Sequence, residues 1–196
     1  MRTADPEKLP RILQAAADLF SRQAFGDVRM ADIASKAGVA KGTLYLHFTD
    51  KESLFRATIA EVCGEALDQI EGQFVSMNTA TEQLRLLVQV AIEFMDRFPH
   101  YLETLHDLDG NPPRQEDEPI RQRRERLFYM IEDRLREAND RGEIEVSHPS
   151  RSAMALLGML HRVMQGTPRP WPEDLADWAT DHFLYGTAAS IAQQKH

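Results

Sequence analysis

Residues 37–48 read AGVAKGTLYLHF, and two different chemistries fit that stretch. Two glycines, a lysine and a threonine suggest a loop whose backbone amides cradle a nucleotide phosphate. The same letters suit the tight turn and second helix of a helix-turn-helix that reads DNA. A phosphate loop of the form G-x-x-x-x-G-K-[ST] carries its lysine after the second glycine and joins a strand to a helix. Here Lys41 precedes Gly42, Gly38 and Gly42 stand one residue too close, and the preceding segment has helical spacing. The nucleotide reading fails on all three counts.

A helix-turn-helix needs a short support helix, a tight turn that usually contains Gly, and a second helix bearing short polar and basic groups. MADIASKAGVAKGTLYLHF supplies each part. Ala34 and Ala37 are small enough for two helices to cross closely. Gly38 can take the positive φ of a sharp turn. Val39 and Leu44 are apolar plugs, and Lys41, Thr43, Tyr45 and His47 remain as groups that can meet DNA. Gly42 inside the second helix costs about 1 kcal/mol relative to Ala, which is understandable where backbone must approach a phosphate or a base edge.

Elsewhere the chemistry is thin. No nucleophile elbow, HExxH, CxxC or kinase signature appears, so an enzyme is not expected and no cofactor is implied. His100, Glu103, His106 and Asp107 cluster on one short segment, but the two histidines are six apart and fall on opposite sides of a helix. A metal site is not expected there. Cys63, the single cysteine, sits on an apolar stripe and reads as a buried thiol. RQRRER (121–126) contains Glu125 four residues from Arg121 and reads as an ion-paired helix face.

Composition sets the frame for these groups. The chain has 196 residues, 42% hydrophobic and 28% charged, as expected of a globular protein. It has no apolar run approaching the roughly 18 residues of a membrane span and no secretory pattern at its start. With one cysteine and no membrane partner, a cytoplasmic location is expected. Net charge is -8. Up to Arg56, however, nine Lys/Arg face seven Asp/Glu for a net +2, and the remaining 14 basic and 24 acidic residues carry -10. A mildly basic head on an acidic body can bind DNA at one end only.

The elements that must position the head are helical. Ile12, Leu13, Ala16, Leu19 and Phe20 follow the spacing of one buried helix face. Asp5-Pro6 resembles an N-cap followed by Pro, and Pro10 leaves the start of that helix anywhere from Pro6 to Pro10. Short helices are expected at 30–37 and 41–47. Thr49 and Glu52 fit a capping box that opens a long fourth helix, and Thr79 and Glu82 fit another. Further helices are expected near 99–109, 119–140, 149–165 and 172–193, with DGNPPRQEDEP (109–119) as a turn-rich connection and Gly142 as a C-terminal cap. The expected architecture is all-α: a three-helix DNA-binding head over residues 1–50 and a six-helix bundle over 51–196.

Arg11–Phe20 (RILQAAADLF) followed by Asp32–Phe55 (DIASKAGVAKGTLYLHFTDKESLF) resembles the DNA-binding domain of TetR-family transcriptional repressors. The resemblance covers roughly residues 8–56 and rests on Phe20, Ile33-Ala34, Ala37-Gly38-Val39, Gly42-Thr43-Leu44-Tyr45, Phe48, Lys51 and Leu54. Beyond it the chain matches only in helix number and length. The resemblance implies a homodimer whose heads occupy successive major grooves of a near-palindromic double-stranded operator. It assigns Lys41, Gly42 and Thr43 to bases or nearby phosphates, and Tyr45, His47 and Lys51 to the backbone. Arg29 stands near a slot where the family often has a capping Thr; it leaves that cap in doubt and adds a candidate phosphate contact.

The resemblance also implies that the bundle dimerises and encloses a pocket for a small-molecule effector, here unknown. Met154, Leu157 and Gly158 on the eighth helix, with Leu175, Trp178, His182, Phe183 and Gly186 on the ninth, form a candidate dimer stripe. Phe94, Tyr101, His106 and Phe128, with Tyr129, Met159, His161 and Trp171, are the candidate pocket groups. An acidic, aromatic-lined body is suited to a lipophilic cation held by cation–π contacts. The function expected is a ligand-responsive repressor, released from DNA by its effector. The alternative is a helical interaction protein, or a DNA-binding regulator without an effector.

Overall fold

The computed structural model describes residues 7–110 and 117–193, without the side chains of 109 and 187–193. Among them are nine α-helices and no strand: α1 (Lys8–Phe20), α2 (Met30–Lys36), α3 (Lys41–His47), α4 (Lys51–Phe74), α5 (Ala80–Arg97), α6 (His100–Gly110), α7 (Glu118–Asp140), α8 (Pro149–Gly166) and α9 (Leu175–Gln193). The all-α architecture is as expected. Residues 5, 6 and 111–116, which carry the expected Asp5-Pro6 cap and most of the turn-rich connection, lie outside the described residues. α1 starts at Lys8 with Pro10 in its first turn, where the missing N–H is one a helix start leaves unpaired anyway.

The chain forms two compact units, Met1–Glu65 with Arg97–Arg123, and Ala66–Asp96 with Arg124–His196. The division falls inside α4, and α6 with the first turns of α7 belongs to the unit that contains α1–α3. Ile12, Phe20, Ile33, Leu44, Phe55 and Phe98 are buried in the first unit; Leu84, Leu87, Ile131, Leu135, Leu156 and Ala179 are buried in the second.

Two local details depart from expectation. α4 is opened by Asp50 and Ser53, one residue along from Thr49 and Glu52. The Ser53 N–H donates to Asp50 Oδ1 at 2.7 Å, and the Asp50 N–H donates to Ser53 Oγ at 3.2 Å. The reciprocal logic of a capping box holds with a carboxylate and a hydroxyl in exchanged positions, which frees Glu52 for His100 and Arg56. Gly186, a member of the candidate dimer stripe, is the second departure. It has φ +72° and ψ 176°, so α9 is broken there. The other expected box does form: Glu82 N–H donates to Thr79 Oγ1 and Thr79 N–H to Glu82 Oε2, both at 3.1 Å.

Candidate nucleic-acid interface

The turn between α2 and α3 follows from Gly38. Its φ of +65° belongs to the left-handed region, where a side chain costs roughly 1–2 kcal/mol. With Gly38 in that conformation, its N–H donates to the Ser35 carbonyl (3.1 Å) and the Val39 N–H reaches back to the Ala34 carbonyl (3.0 Å). This pair is a Schellman termination, which satisfies the last carbonyls of α2 while reversing the chain. Leu44 is fully buried and Val39 half-buried, as the plug role requires. α1 packs on α2 and α2 on α3. Lys36 and Arg22 both bind the Asp18 carboxylate, and the hydrogen bond from Lys36 is the main cause of its pKa falling below the usual carboxylate range.

The outer face of α3 carries the expected polar groups. Lys41, Tyr45 and His47 are exposed, and Thr43 is half-buried. Lys41 Nζ stands 5.8 Å from the centroid of the Tyr45 ring, one turn along the same face. Gly42 has no atom within 4 Å of where a Cβ would lie, so nothing inside the chain requires Gly there. Arg29 precedes α2 in extended conformation with no side-chain cap, matching the doubt over capping at that slot. Among the described residues neither Arg29 nor Lys41 makes an ion pair. Leu46, 85% exposed on α3, was not among the expected contacts.

Lys51 is placed differently from expectation. Its ammonium donates to the carbonyls of Phe25 (2.6 Å), Val28 (3.0 Å) and Gly26 (3.2 Å), and sits 4.4 Å from the Phe25 ring centroid. An ammonium has three donors; all three clasp the α1–α2 loop, so none is free for a phosphate. Spacing gave no signal of this role, because the acceptors are backbone atoms more than 20 residues away.

Beside this clasp lies a cluster that sequence considered only as a metal site. The His100 ring stacks on Phe25 (centroids 3.8 Å, 11°) and meets Phe55 edge-on at 5.0 Å. Its nitrogens approach Glu103 at 2.8 Å and Glu52 at 3.1 Å. Burial pushes the His100 pKa down, and the hydrogen bonds and charges of Glu52 and Glu103 more than offset it, holding it above the usual 6.5. Arg56, 2% exposed, pairs with Asp107 at 2.6 Å and with Asp117 and Glu52. α4 is thereby tied to α6 and to the residue preceding α7. No group of three or more acidic, His or Cys residues among the described residues is arranged to hold a metal.

The expected pocket residues are distributed over both units. Tyr101 is buried and His106 exposed, both in the first unit. In the second unit Tyr129 is exposed beside Phe128 (5.3 Å), and His161 is paired with Gln165 (2.9 Å). Trp171 lies under the Arg169 guanidinium at 4.3 Å with its indole N–H on the Thr167 carbonyl. Phe94 and Met159 are half-buried. None of the eight lines the cleft of about 670 Å³ described below.

Of the expected dimer stripe, Met154, Gly158 and Trp178 are exposed, and Leu157 and His182 half-buried, with His182 stacked on Trp178 at 5.2 Å. Leu175 is only 6% exposed and belongs to the chain's own core, and Phe183 lines that cleft.

Comparison with known proteins agrees with this geometry. Residues 12–58 match the model for bacterial regulatory proteins of the tetR family, and residues 77–186 match a tetracyclin repressor-like C-terminal domain. The chain is 39% identical over 66 residues to the HTH-type regulator YvdT of Bacillus subtilis, spanning 34% of that protein's length. It is 26% identical over 192 residues to the HTH-type transcriptional regulator UidR of Escherichia coli, covering 97% of this chain and 94% of UidR. In fold it resembles FadR of Bacillus subtilis, solved with stearoyl-CoA (TM-score 0.69, 20% identity, 91% of this chain and 99% of FadR). It also resembles a regulator of Saccharomonospora viridis solved with choline (TM-score 0.73, 19% identity, 97% and 98%). No helix among the described residues is long and apolar enough to cross a membrane.

Proposed function

This chain belongs to the tetR family of bacterial regulatory proteins, a transcriptional regulator rather than an enzyme, and we propose that it is a ligand-responsive repressor acting as a homodimer in the cytoplasm. The observation that carries the DNA reading is the face of α3, where Lys41, Tyr45 and His47 are exposed on a helix held by the Gly38 turn. In the bound state α3 lies in the major groove with Thr43 and the Gly42 backbone near base edges. Lys41, Tyr45, His47 and Arg29 meet phosphates. Lys51 contributes by holding the α1–α2 loop.

Exposed Met154 and Trp178 support a dimer through α8 and α9. A pair of heads then faces two half-sites about 34–36 Å apart, one helical turn, or a multiple of it, and an effector that alters the head separation releases the operator. The fold does not dictate the effector, since one structural neighbour was solved with stearoyl-CoA and another with choline.

Footprinting of the DNA upstream of the gene, combined with light scattering of the complex, tests this reading. It predicts two protected half-sites with dyad symmetry and a dimer that Trp178→Asp converts to monomer, with loss of the footprint. A footprint without dyad symmetry from a monomer contradicts the dimeric repressor.

A further inference from the structure

The second unit contains a cleft of about 670 Å³ between the α7–α8 connection, the start of α8 and α9. That volume falls within the roughly 300–1,000 Å³ common to small-molecule sites. Its lining includes the apolar residues Leu135, Ile144, Val146, Ala155, Phe183 and Leu184. It also includes donors: His148, Arg151 and Ser152 lie close together in sequence at the start of α8, next to Ser147. Among the described residues the Arg151 and His148 side chains have no hydrogen-bond or ion-pair partner.

Two carboxylates also line the cleft, and they differ. Glu143 is committed to the start of α5: its oxygens accept from the N–H groups of Ala80 (3.0 Å) and Thr81 (2.9 Å) and from the Thr81 hydroxyl (3.0 Å). Glu145 is exposed and stands alone against the cluster of donors.

We propose that this cleft is a binding site for an amphipathic organic anion, its apolar body against Ile144, Val146, Ala155 and Phe183 and its carboxylate on Arg151. The arrangement has the two parts such a ligand needs. Contact with the apolar lining removes the body from water, and a guanidinium offers paired donors to a planar carboxylate. The site involves none of the eight pocket candidates named in the sequence analysis. Its regulatory meaning rests on the effector-responsive reading above; its existence as a site does not.

The full-length protein is titrated by calorimetry with octanoate, octanol and octyltrimethylammonium, each below its micellar concentration. Octanoate is expected to bind once per chain and about tenfold or more tighter than the other two, as a charge-assisted hydrogen bond implies. Arg151→Gln lowers octanoate to the level of octanol, and Arg151→Glu reverses the preference in favour of the ammonium. Arg151 is exposed, so both variants keep the melting temperature of the unliganded protein. No octanoate binding, equal affinity in all three proteins, or a wild-type preference for the ammonium overturns the proposal. Operator affinity is measured alongside: octanoate binding that depends on Arg151 but leaves operator affinity unchanged establishes the site and contradicts the effector reading.

Discussion

Lys51 and His100 show how single side chains hold together the unit that contains the helix-turn-helix. Lys51 spends three N–H donors on carbonyls of the loop that joins α1 to α2. Lys51→Met keeps the apolar stem and removes those donors, so it is expected to cost about 1.5–3 kcal/mol, the range of hydrogen bonds to charged groups. Chemical denaturation reads this directly, and unchanged stability would refute the clasp. His100 makes a pH-dependent contribution. Its folded pKa lies above its ordinary 6.5, so the stability it adds is fully present below the unfolded value and is lost as pH rises through the folded one. The groups facing it are Glu52 from α4, Glu103 from α6, and the Phe25 and Phe55 rings. The melting-temperature difference between wild type and His100→Gln is therefore expected to be larger at pH 6 than at pH 8. A difference independent of pH contradicts a charged His100. Neither role was visible in the sequence, because both depend on partners brought close only by the fold.

At the scale of elements, local chemistry was the most legible part. Lys41–His47 was expected as a helix and is one, since the alternation of Gly38, Val39 and Leu44 is a short-range pattern. The Thr79–Glu82 box could be read for the same reason, whereas at α4 two overlapping patterns competed and Asp50 with Ser53 prevailed. The start of α5 also has a partner no local pattern announces. Glu143, 63 residues from Ala80, accepts its first N–H groups. Burial pushes the Glu143 pKa up, and the bonds from Thr81 and Ala80 with the charge of Arg141 more than offset it, holding it below the ordinary 4.5. Its contribution is thus present above that value and is lost as pH falls through the lower folded pKa. Glu143→Gln is expected to cost about 1 kcal/mol near neutral pH, as loss of a helix cap does, and less as pH falls through the folded pKa. A deficit in thermal stability unchanged between pH 7 and pH 3.5 contradicts this capping role.

For the molecule as a whole, the charge pattern resolves what the total obscures. A net charge of -8 argues against DNA, yet the first 56 residues carry +2 and the rest -10. Fold class and DNA-binding head were legible because helical periodicity and a tight turn are written in neighbouring residues. The cleft was not, because residues on separate elements carry no record of which cavity they line: it is built from the α7–α8 connection with parts of α7, α8 and α9. In the reading proposed above, α3 docks on DNA with Lys41 and Tyr45 on the phosphates. This docking is tested most directly by fluorescence anisotropy with the operator and a scrambled duplex across a series of salt concentrations, for wild type, Lys41→Ala and Tyr45→Ala. Operator-specific binding that weakens steeply with salt is expected. The salt slope is expected to fall by about one in Lys41→Ala and affinity by about tenfold in Tyr45→Ala, with both variants as stable as wild type. Equal affinity for the two duplexes, or variants that bind the operator as wild type does, would contradict it.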